Sequence, residues 1–238
     1  MRVMHQLGYV LHTRPFRETS LLIDVFSRAY GRMTLLAKGI RRLKSRHRSA
    51  MMPFSPLSLG WSGKGELPVL TQSEHDGSVM MLGGRARLCG FYANELLVKL
   101  LHKHDPHADL FDTYHKLLSA LRDGGHIEIS LRLFEKSLLK ELGYALDLEC
   151  EADGVTRVRP DAQYRYVPMF GVVRAGEAGD DALTVSGATL LALAQEEFTD
   201  GKGIDECKYL MRSIIGHHLG SQKLRSRSLF GDFRGKPA

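Results

Sequence analysis

The first 75 residues contain five short runs of β-forming residues, separated by turn signals at near-regular spacing and without a helical period. Pro15 is predicted to end the first strand, and Gly31 suits a hairpin turn that requires a positive φ. Short strands at this spacing are typical of a small Greek-key barrel. The pattern predicts a five-stranded barrel of the size of an OB-fold, with strands near residues 7–13, 19–26, 32–37, 57–61 and 67–72.

The hydrophobic period changes near residues 83–84, where apolar residues begin to recur at helical spacing. Three helices with short links are predicted near residues 84–101, 108–121 and 127–142. Two more follow near 186–197 and 204–219, the first with Ser186 as its N-cap. Residues 150–182 fit neither period and predict an irregular insertion with one strand pair. We therefore predict an α+β protein, with an OB-fold barrel domain over residues 1–80 and an all-α helical domain over residues 81–238 that carries a small irregular β excursion.

One stretch between the third and fourth predicted strands is strongly basic. Residues 1–80 hold 12 Lys and Arg against 5 Asp and Glu, whereas residues 81–238 hold 21 against 22, so the net charge of +6 belongs to the first third. Crowded like charges cannot be buried unpaired, and this stretch is predicted to stay in water until a polyanion arrives. Binding to nucleic-acid phosphates follows, although a solvated run that only maintains solubility has the same signature. Six permanent cations lie within residues 38–48: Lys38, Arg41, Arg42, Lys44, Arg46 and Arg48.

The sequence offers no set of residues for catalysis or for a metal site. Residues 60–65 place a lysine among glycines but lack the spacing of a phosphate-binding loop. The group His102, His104 and His107 straddles a predicted helix end and lacks the further ligand that a zinc shell needs. Three widely spaced cysteines form neither a disulfide framework nor a CxxC pair. We predict a protein that is not an enzyme and uses no cofactor.

The expected location is the cytoplasm. No run approaches the ~18 apolar residues that span a bilayer, and the N-terminus lacks the apolar core and cleavage site of a signal peptide. The sequence therefore predicts neither export nor a membrane partner.

The lone tryptophan, Trp61, lies on a predicted barrel strand and has two readings. A tryptophan beside basic residues on an OB strand stacks on bases in proteins that hold single strands. Alternate residues of a barrel strand point inward, so Trp61 is equally suited to the core. The sequence leaves both readings open.

Several segments, in order along nearly the whole chain, match the pattern of one known family. The N-terminal segments are residues 8–22 and 30–39 with the basic stretch that follows, and they include Tyr30-Gly31-Arg32. The later ones are residues 91–96, 104–106, 131–135 and 142–144, together with Phe111. In these segments the chain strongly resembles the bacterial recombination and repair mediator family RecO.

This resemblance implies an OB domain followed by a helical domain. It implies binding of single- and double-stranded DNA in the nucleoid, annealing of complementary strands, and a complex with RecR that helps load RecA onto strands coated by single-stranded DNA-binding protein (SSB). Some members carry a four-cysteine zinc module after the third helix, but only Cys150 remains here, so the zinc is expected to be absent. Relatives also capture the acidic tail of SSB, which needs an apolar pocket rimmed by cations. The candidates for that pocket are Lys99, Lys103, Leu131, Arg132, Phe134 and Lys136.

The DNA-binding surface is predicted to extend beyond the basic stretch. Arg14, Arg17 and Arg32 are expected to widen the basic face, with Trp61 or Tyr9 as stacking residues. Two other functions remain open. An OB-type RNA-binding protein in translation or RNA handling would use the same phosphate contacts and stacking, and a pure scaffold would use its basic loop only for solubility.

Overall fold

The structure is a computed structural model that describes residues 2–41, 51–176, 184–198 and 201–228. The chain begins with five strands and continues with helices and a second, smaller sheet. The five strands are β1 (Arg2–Phe16), β2 (Ser20–Ser27), β3 (Gly31–Ala37), β4 (Leu57–Ser62) and β5 (Val69–His75).

These strands form a closed barrel in the order β1-β2-β3-β5-β4, which confirms the predicted five-stranded OB-fold barrel. All neighbours are antiparallel except β3 and β5, which are parallel where Leu36 pairs with Val69. The predicted end of the first strand at Pro15 is wrong, because β1 continues to Phe16. Its first half, up to Gly8, pairs with β4 and its second half pairs with β2 alone. Pro15 therefore lies where one side of the strand needs no ladder hydrogen bond.

The barrel interior is filled by the inward-pointing residues of the strands. They occupy alternate positions of β2, β3 and β4, as the period of two requires, while the residues between them are buried or partly buried on the outer side of the barrel. The buried cluster consists of Val3, Val10, Ile23, Val25, Met33, Leu35, Ala37, Ile40, Leu57, Leu59 and Trp61.

The helices and the small sheet follow the predicted order. The helices are α1 (Gly84–Leu100), α2 (Ala108–Asp123), α3 (Ile127–Glu141), α4 (Gly187–Gln195) and α5 (Gly201–Leu219). The second sheet contains β6 (Gln163–Val167), β7 (Gly171–Arg174) and β8 (Val185–Ser186) in the order β7-β6-β8. The predicted strand pair within residues 150–182 is confirmed as β6 and β7. No helix among the described residues has the length and apolar character that crossing a bilayer requires.

Two compact units emerge from the packing. Unit 1 comprises residues 1–125 and the C-terminal residues from 224 onward, and unit 2 comprises residues 126–223. Unit 1 thus contains the barrel, α1, α2 and a short C-terminal helical segment, whereas unit 2 contains α3, the small sheet, α4 and α5. The division of the chain into domains at residue 80 stays a prediction.

Within unit 1, an aromatic cluster joins the barrel to α2. The ring of Tyr9 on β1 meets the ring of Tyr114 edge to face, with 5.1 Å between centroids, and Phe26 and Phe111 complete the cluster. Asn94 on α1 extends it by polar contacts, because its Nδ2 donates to the carbonyl oxygen of Leu11 at 3.0 Å and its Oδ1 accepts from the Tyr114 hydroxyl at 2.5 Å. These buried hydrogen bonds fix α1 and α2 on the barrel.

Gly31, at the start of β3, forms a second contact between the barrel and the helices of unit 1. Its φ is +65°, and a Cβ atom there would lie 1.9 Å from the carbonyl oxygen of Asp105 in the link between α1 and α2. The neighbouring backbone completes the contact, since the amide of His104 donates to the carbonyl oxygen of Arg32 at 2.8 Å. Position 31 therefore requires glycine, because the backbone has a positive φ and a side chain would collide with Asp105.

In unit 2, Ser186 caps α4 as predicted. Its hydroxyl oxygen accepts from the amide of Thr189 at 3.3 Å. Glu206 on α5 reinforces this cap, because its Oε2 accepts from the amide and the hydroxyl of Ser186 at 3.0 and 2.7 Å and from the Thr189 hydroxyl at 2.8 Å. Burial alone would raise the pKa of Glu206, but these hydrogen bonds outweigh it and hold the pKa below its usual value.

Candidate nucleic-acid interface

The turn between β1 and β2 brings two predicted cations together. Arg17 lies in this turn, is exposed and has a φ of +53°. The backbone amide of Arg41 donates to the carbonyl oxygen of Thr19 at 3.0 Å, and the Arg41 guanidinium donates to the carbonyl oxygen of Glu18 at 3.1 Å. The start of the basic stretch is therefore fixed beside the β1–β2 turn.

The turn between β4 and β5 lies at the same end of the barrel. The amide of Leu36, near the end of β3, donates to the carbonyl oxygen of Pro68 at 2.8 Å. Lys64 is exposed in this turn between Gly63 and Gly65, whose φ angles are +133° and +96°. OB-folds contact oligonucleotides with these same two turns. Lys64 is thus a candidate that our sequence reasoning missed, and a lysine between two turn glycines is its signal.

The cations at this end are available to a ligand. Arg14, Arg17 and Lys38 are exposed, and none of them forms an ion pair with a carboxylate in the described part of the chain. The guanidinium carbon of Arg17 lies 5.4 Å from the centroid of the Phe16 ring, a contact that leaves its charge unneutralised. We call Arg14, Arg17, Lys38, Arg41 and Lys64 the barrel-end cations.

Four of the predicted cations, Arg42, Lys44, Arg46 and Arg48, lie outside the described residues. The residues that flank them belong to the barrel, since Ile40 is 3% exposed in its core and Met51 packs against the same core. Contact of these four residues with nucleic acid stays a prediction.

Arg32 is partly buried and hydrogen-bonds to the link that follows α1. Its Nε donates to the carbonyl oxygen of Leu101 at 3.1 Å, and its carbonyl oxygen accepts from His104. Burial lowers the pKa of the Arg32 guanidinium, and the nearby Asp24 opposes that shift. The prediction that Arg32 contacts phosphates stays a prediction, since this hydrogen bond uses only the Nε of its guanidinium.

Trp61 belongs to the core, which settles the alternative that the sequence left open. Its side chain is 4% exposed and meets the ring of Tyr30 edge to face, with 5.0 Å between centroids. Tyr9 is completely buried as well. Neither ring is available for stacking on a base, because Trp61 lies in the barrel core and Tyr9 is buried beneath α2 against Phe111 and Tyr114.

The residues predicted to form an SSB pocket on α3 are engaged inside unit 2. Leu131 and Phe134 are 4% and 0% exposed, so they are core residues and not the lining of an open pocket. Arg132 is 5% exposed, with its Nε 2.8 Å from Oε2 of Glu135. The prediction of an open apolar pocket with Arg132 on its rim is corrected, because α3 buries this stripe against the rest of unit 2.

Lys136, the remaining candidate on α3, forms hydrogen bonds with the C-terminal end of α4. Its Nζ donates to the carbonyl oxygens of Leu193 and Ala194 at 3.0 and 2.8 Å and lies 3.0 Å from a carboxylate oxygen of Glu196. Lysine in such a position satisfies carbonyl groups that a helix C-terminus leaves without partners. Its charge is therefore used within unit 2.

Two further pocket candidates lie in unit 1. Lys99 is 3.9 Å from a carboxylate oxygen of Glu95, and Lys103 is exposed. The Glu95 carboxylate also accepts from the backbone amides of Arg225 and Ser226 at 2.9 and 2.8 Å, and so holds the C-terminal helical segment. Burial would raise the pKa of Glu95, but these hydrogen bonds outweigh it and the pKa lies below its usual value. The role of Lys103 stays a prediction.

The described residues contain no group of three or more His, Cys, Asp or Glu side chains that is arranged to hold a metal ion. Cys89 and Cys207 are buried and Cys150 is partly buried, and none of the three forms a disulfide.

A closed five-stranded barrel with exposed cations on the β1–β2 and β4–β5 turns is typical of OB-fold proteins that bind nucleic acids. Two family models identify the family to which such a protein belongs. The recombination protein O N-terminal model matches residues 1–78, and the recombination protein O C-terminal model matches residues 84–228. The chain belongs to the recombination protein O (RecO) family, which confirms the resemblance seen in the sequence.

Curated relatives match over nearly their full length. The DNA repair protein RecO of Dechloromonas aromatica is 43% identical over 236 residues, covering 98% of this chain and 97% of that protein. The DNA repair protein RecO of Methylococcus capsulatus is 44% identical over 229 residues, covering 96% and 93%. That of Aromatoleum aromaticum is 44% identical over 235 residues, covering 98% and 97%.

Proposed function

We propose that this protein acts in DNA repair and recombination as a non-enzymatic mediator that binds single- and double-stranded DNA through the barrel-end cations. One structural observation carries the proposal: exposed cations without carboxylate partners in the described part of the chain lie on or beside the two turns that OB-folds use for oligonucleotides, with Arg17 and Lys64 on the turns themselves. Membership of the RecO family and relatives named DNA repair proteins support it. Arg42, Lys44, Arg46 and Arg48 extend the same proposed surface.

The chemistry of this surface is electrostatic. Each phosphate that a lysine or arginine neutralises releases condensed counterions, so affinity falls as salt rises. Phosphate contacts position a strand without reading its bases, and binding is therefore indifferent to sequence. Annealing follows when neutralised complementary strands are held close together, because their mutual repulsion is reduced. This step needs no bond cleavage and no nucleotide triphosphate.

The proposal includes the protein partners that the resemblance to the RecO family implies. The protein forms a complex with RecR, captures the acidic C-terminal tail of SSB, and so helps load RecA onto SSB-coated strands. Leu131 and Phe134 are not assigned to the tail pocket, since both are buried in unit 2.

Equilibrium titration of labelled DNA tests the barrel-end surface. Combined replacement of Arg14, Arg17 and Lys38 by Ala is expected to lower the affinity for single- and double-stranded DNA of unrelated sequences alike, and to slow annealing. Arg122→Ala is the matched control, because Arg122 is an exposed arginine of unit 1 whose guanidinium is paired with Asp123. A triple variant that binds DNA as the wild type does would contradict the proposal.

Competition with RNA tests the choice of nucleic acid. A matched RNA strand is expected to displace labelled DNA no better than unlabelled DNA does. Tighter binding of the RNA would instead favour a role in RNA handling.

A further inference from the structure

The second half of β1 carries two rings on its outer side with a cation between them. Thr13 pairs with Ile23, a residue of the barrel core, so the alternate residues His12, Arg14 and Phe16 point away from that core. The His12 side chain is 60% exposed, Arg14 is exposed and Phe16 is partly buried. Pairing with β2 is continuous from His12 to Phe16, so the three residues form one row along the strand. We call His12, Arg14 and Phe16 the outer row of β1.

A stripe of partly buried apolar residues begins beside the outer row of β1. Leu22 on β2 lies opposite Arg14, and Leu36 on β3 lies opposite Leu22. Val69, the first residue of β5, pairs in turn with Leu36. All three apolar side chains are only partly buried. The stripe therefore crosses the barrel surface from Arg14 to the strand that follows the β4–β5 turn, where Lys64 lies.

The carboxylate opposite His12 is used within the barrel. Asp24 is 5% exposed and accepts a hydrogen bond from the Thr34 hydroxyl at 2.6 Å, and its second oxygen lies 3.9 Å from Nδ1 of His12. Glu18 is exposed in the β1–β2 turn, but this turn and the residues beside it also carry the barrel-end cations. The surface around the outer row therefore favours an anionic ligand.

The two rings are spaced for separate bases of one strand. Alternate residues of an antiparallel strand lie about 6.8 Å apart, so His12 and Phe16 are about 14 Å apart along β1. A nucleic-acid strand advances about 3.4 Å per nucleotide in a duplex, and about twice that when its bases unstack and the backbone is extended. Two bases about two to four nucleotides apart can therefore reach the two rings, with a phosphate between them near Arg14.

We propose that the outer row of β1 is the contact of the barrel end with unpaired bases, which stack on Phe16 and His12 while Arg14 binds a phosphate. The Arg17 guanidinium, 5.4 Å from the centroid of the Phe16 ring, adds a cationic group to the same stack. The faces of bases in a duplex are covered by their neighbours, so only a single strand can make this contact. Stacking leaves the pairing edge of a base open, and a complementary strand can still pair with it. The inference rests on the proposed function, to which it adds a preference for single strands.

Titration of the full chain with a single strand and with the duplex of the same sequence tests this contact. Replacing His12 and Phe16 by Leu is expected to lower the affinity for the single strand at least about fivefold per ring lost. The affinity for the duplex is expected to change less than about twofold, because its phosphate contacts remain. Replacing Phe16 by Tyr and His12 by Phe keeps both rings and is expected to retain the wild-type affinity. Phe91→Leu is the matched control, since Phe91 is a partly exposed aromatic residue of α1 that packs edge to face on Phe54.

A strand of abasic sites separates the rings from the cations, because it keeps the phosphates and lacks the bases. The double leucine variant and the wild type are expected to bind this abasic strand equally well. A double leucine variant that binds the normal single strand as the wild type does, or that loses affinity for the duplex and the abasic strand to the same extent, would overturn the inference. Either result leaves the barrel-end site standing, whereas an Arg14, Arg17 and Lys38 triple alanine variant with undiminished DNA affinity would overturn that site instead.

Discussion

The barrel end and helix α3 contain the same kinds of cations, but the protein uses them differently. At the barrel end, Arg17 and Lys38 are exposed and have no carboxylate partner among the described residues. On α3, Arg132 is buried against Glu135, and Lys136 donates to the end of α4. A sequence motif shows that a cation is present, whereas its neighbours decide whether the charge stabilises the fold or remains available to a ligand.

This difference has an energetic consequence. A buried ion pair is weak evidence for net stability, but removal of one partner leaves an unpaired buried charge and is strongly destabilising. An exposed cation without a partner contributes little to stability. The two regions are therefore expected to respond oppositely to mutation: α3 in stability, and the barrel end in DNA binding.

The largest effect on stability is expected from Arg132→Ala. It leaves the carboxylate of Glu135 buried without its guanidinium partner, and the free energy of unfolding is expected to fall by about 3–5 kcal/mol. Replacing both residues, Arg132 by Met and Glu135 by Leu, is expected to recover most of the loss. Urea denaturation measures both. The comparison fails if Arg132→Ala is no more harmful than Lys38→Ala, for which a change within about 0.5 kcal/mol is expected.

Gly31→Ala tests the framework behind the exposed barrel end. A Cβ atom would collide with the carbonyl oxygen of Asp105, and the φ of +65° disfavours any L side chain. The expected loss is at least about 2 kcal/mol, measured by thermal or urea unfolding. Gly65→Ala is the control: it also has a positive φ, but no atom lies within 4 Å of its added methyl group. Equal losses in the two variants would contradict the proposed collision.

Glu95→Gln tests a carboxylate that accepts hydrogen bonds from the backbone of the C-terminal helical segment. Because hydrogen bonds from Ser226 and Arg225 depress the folded-state pKa below the unfolded value of 4.5, the ionised form stabilises the folded state at neutral pH. That contribution is fully present above pH 4.5 and is lost as pH falls through the lower folded-state pKa. At pH 7 the variant is expected to lose about 1 kcal/mol, as for a lost helix cap. Melting curves at pH 7 and below pH 4 measure the difference, which should shrink in acid.

Arg28→Ala is expected to have the smallest effect and represents an intermediate case. Arg28 forms a two-point contact with Asp112, at 3.0 and 2.9 Å, yet both side chains are about half exposed. Solvent and salt screen such a pair, so stability is expected to change too little to resolve by denaturation. A clear loss that disappears in high salt would show that pairing alone, without burial, decides how the protein uses its cations.

The barrel was predictable because its strands follow local rules. Short runs of β-forming residues and turn glycines predicted five strands, and helical spacing of apolar residues predicted the later helices. Leu131 and Phe134 are three positions apart on α3, and the structure shows that both are buried, which overrides their predicted role in a pocket.

Contacts between distant parts of the sequence were not predictable. Gly31 and Asp105 are 74 positions apart, and only the fold places a carbonyl oxygen where the Cβ of residue 31 would be. The inward orientation of Trp61 depends on strand register, because a shift of one residue would turn the ring outward. Lys64 was missed because its signal, a lysine between two turn glycines, does not show that its turn lies beside the β1–β2 turn.

The salt dependence of single-strand binding tests the central claim most directly. If about five phosphate contacts form, log K against log salt concentration has a slope near −3.5 for the wild type. Combined replacement of Arg14, Arg17 and Lys38 by Ala is expected to make that slope shallower by about 2, at roughly 0.7 per contact. An unchanged slope in this triple variant would contradict the account, because the exposed cations of the barrel end would then bind no phosphate.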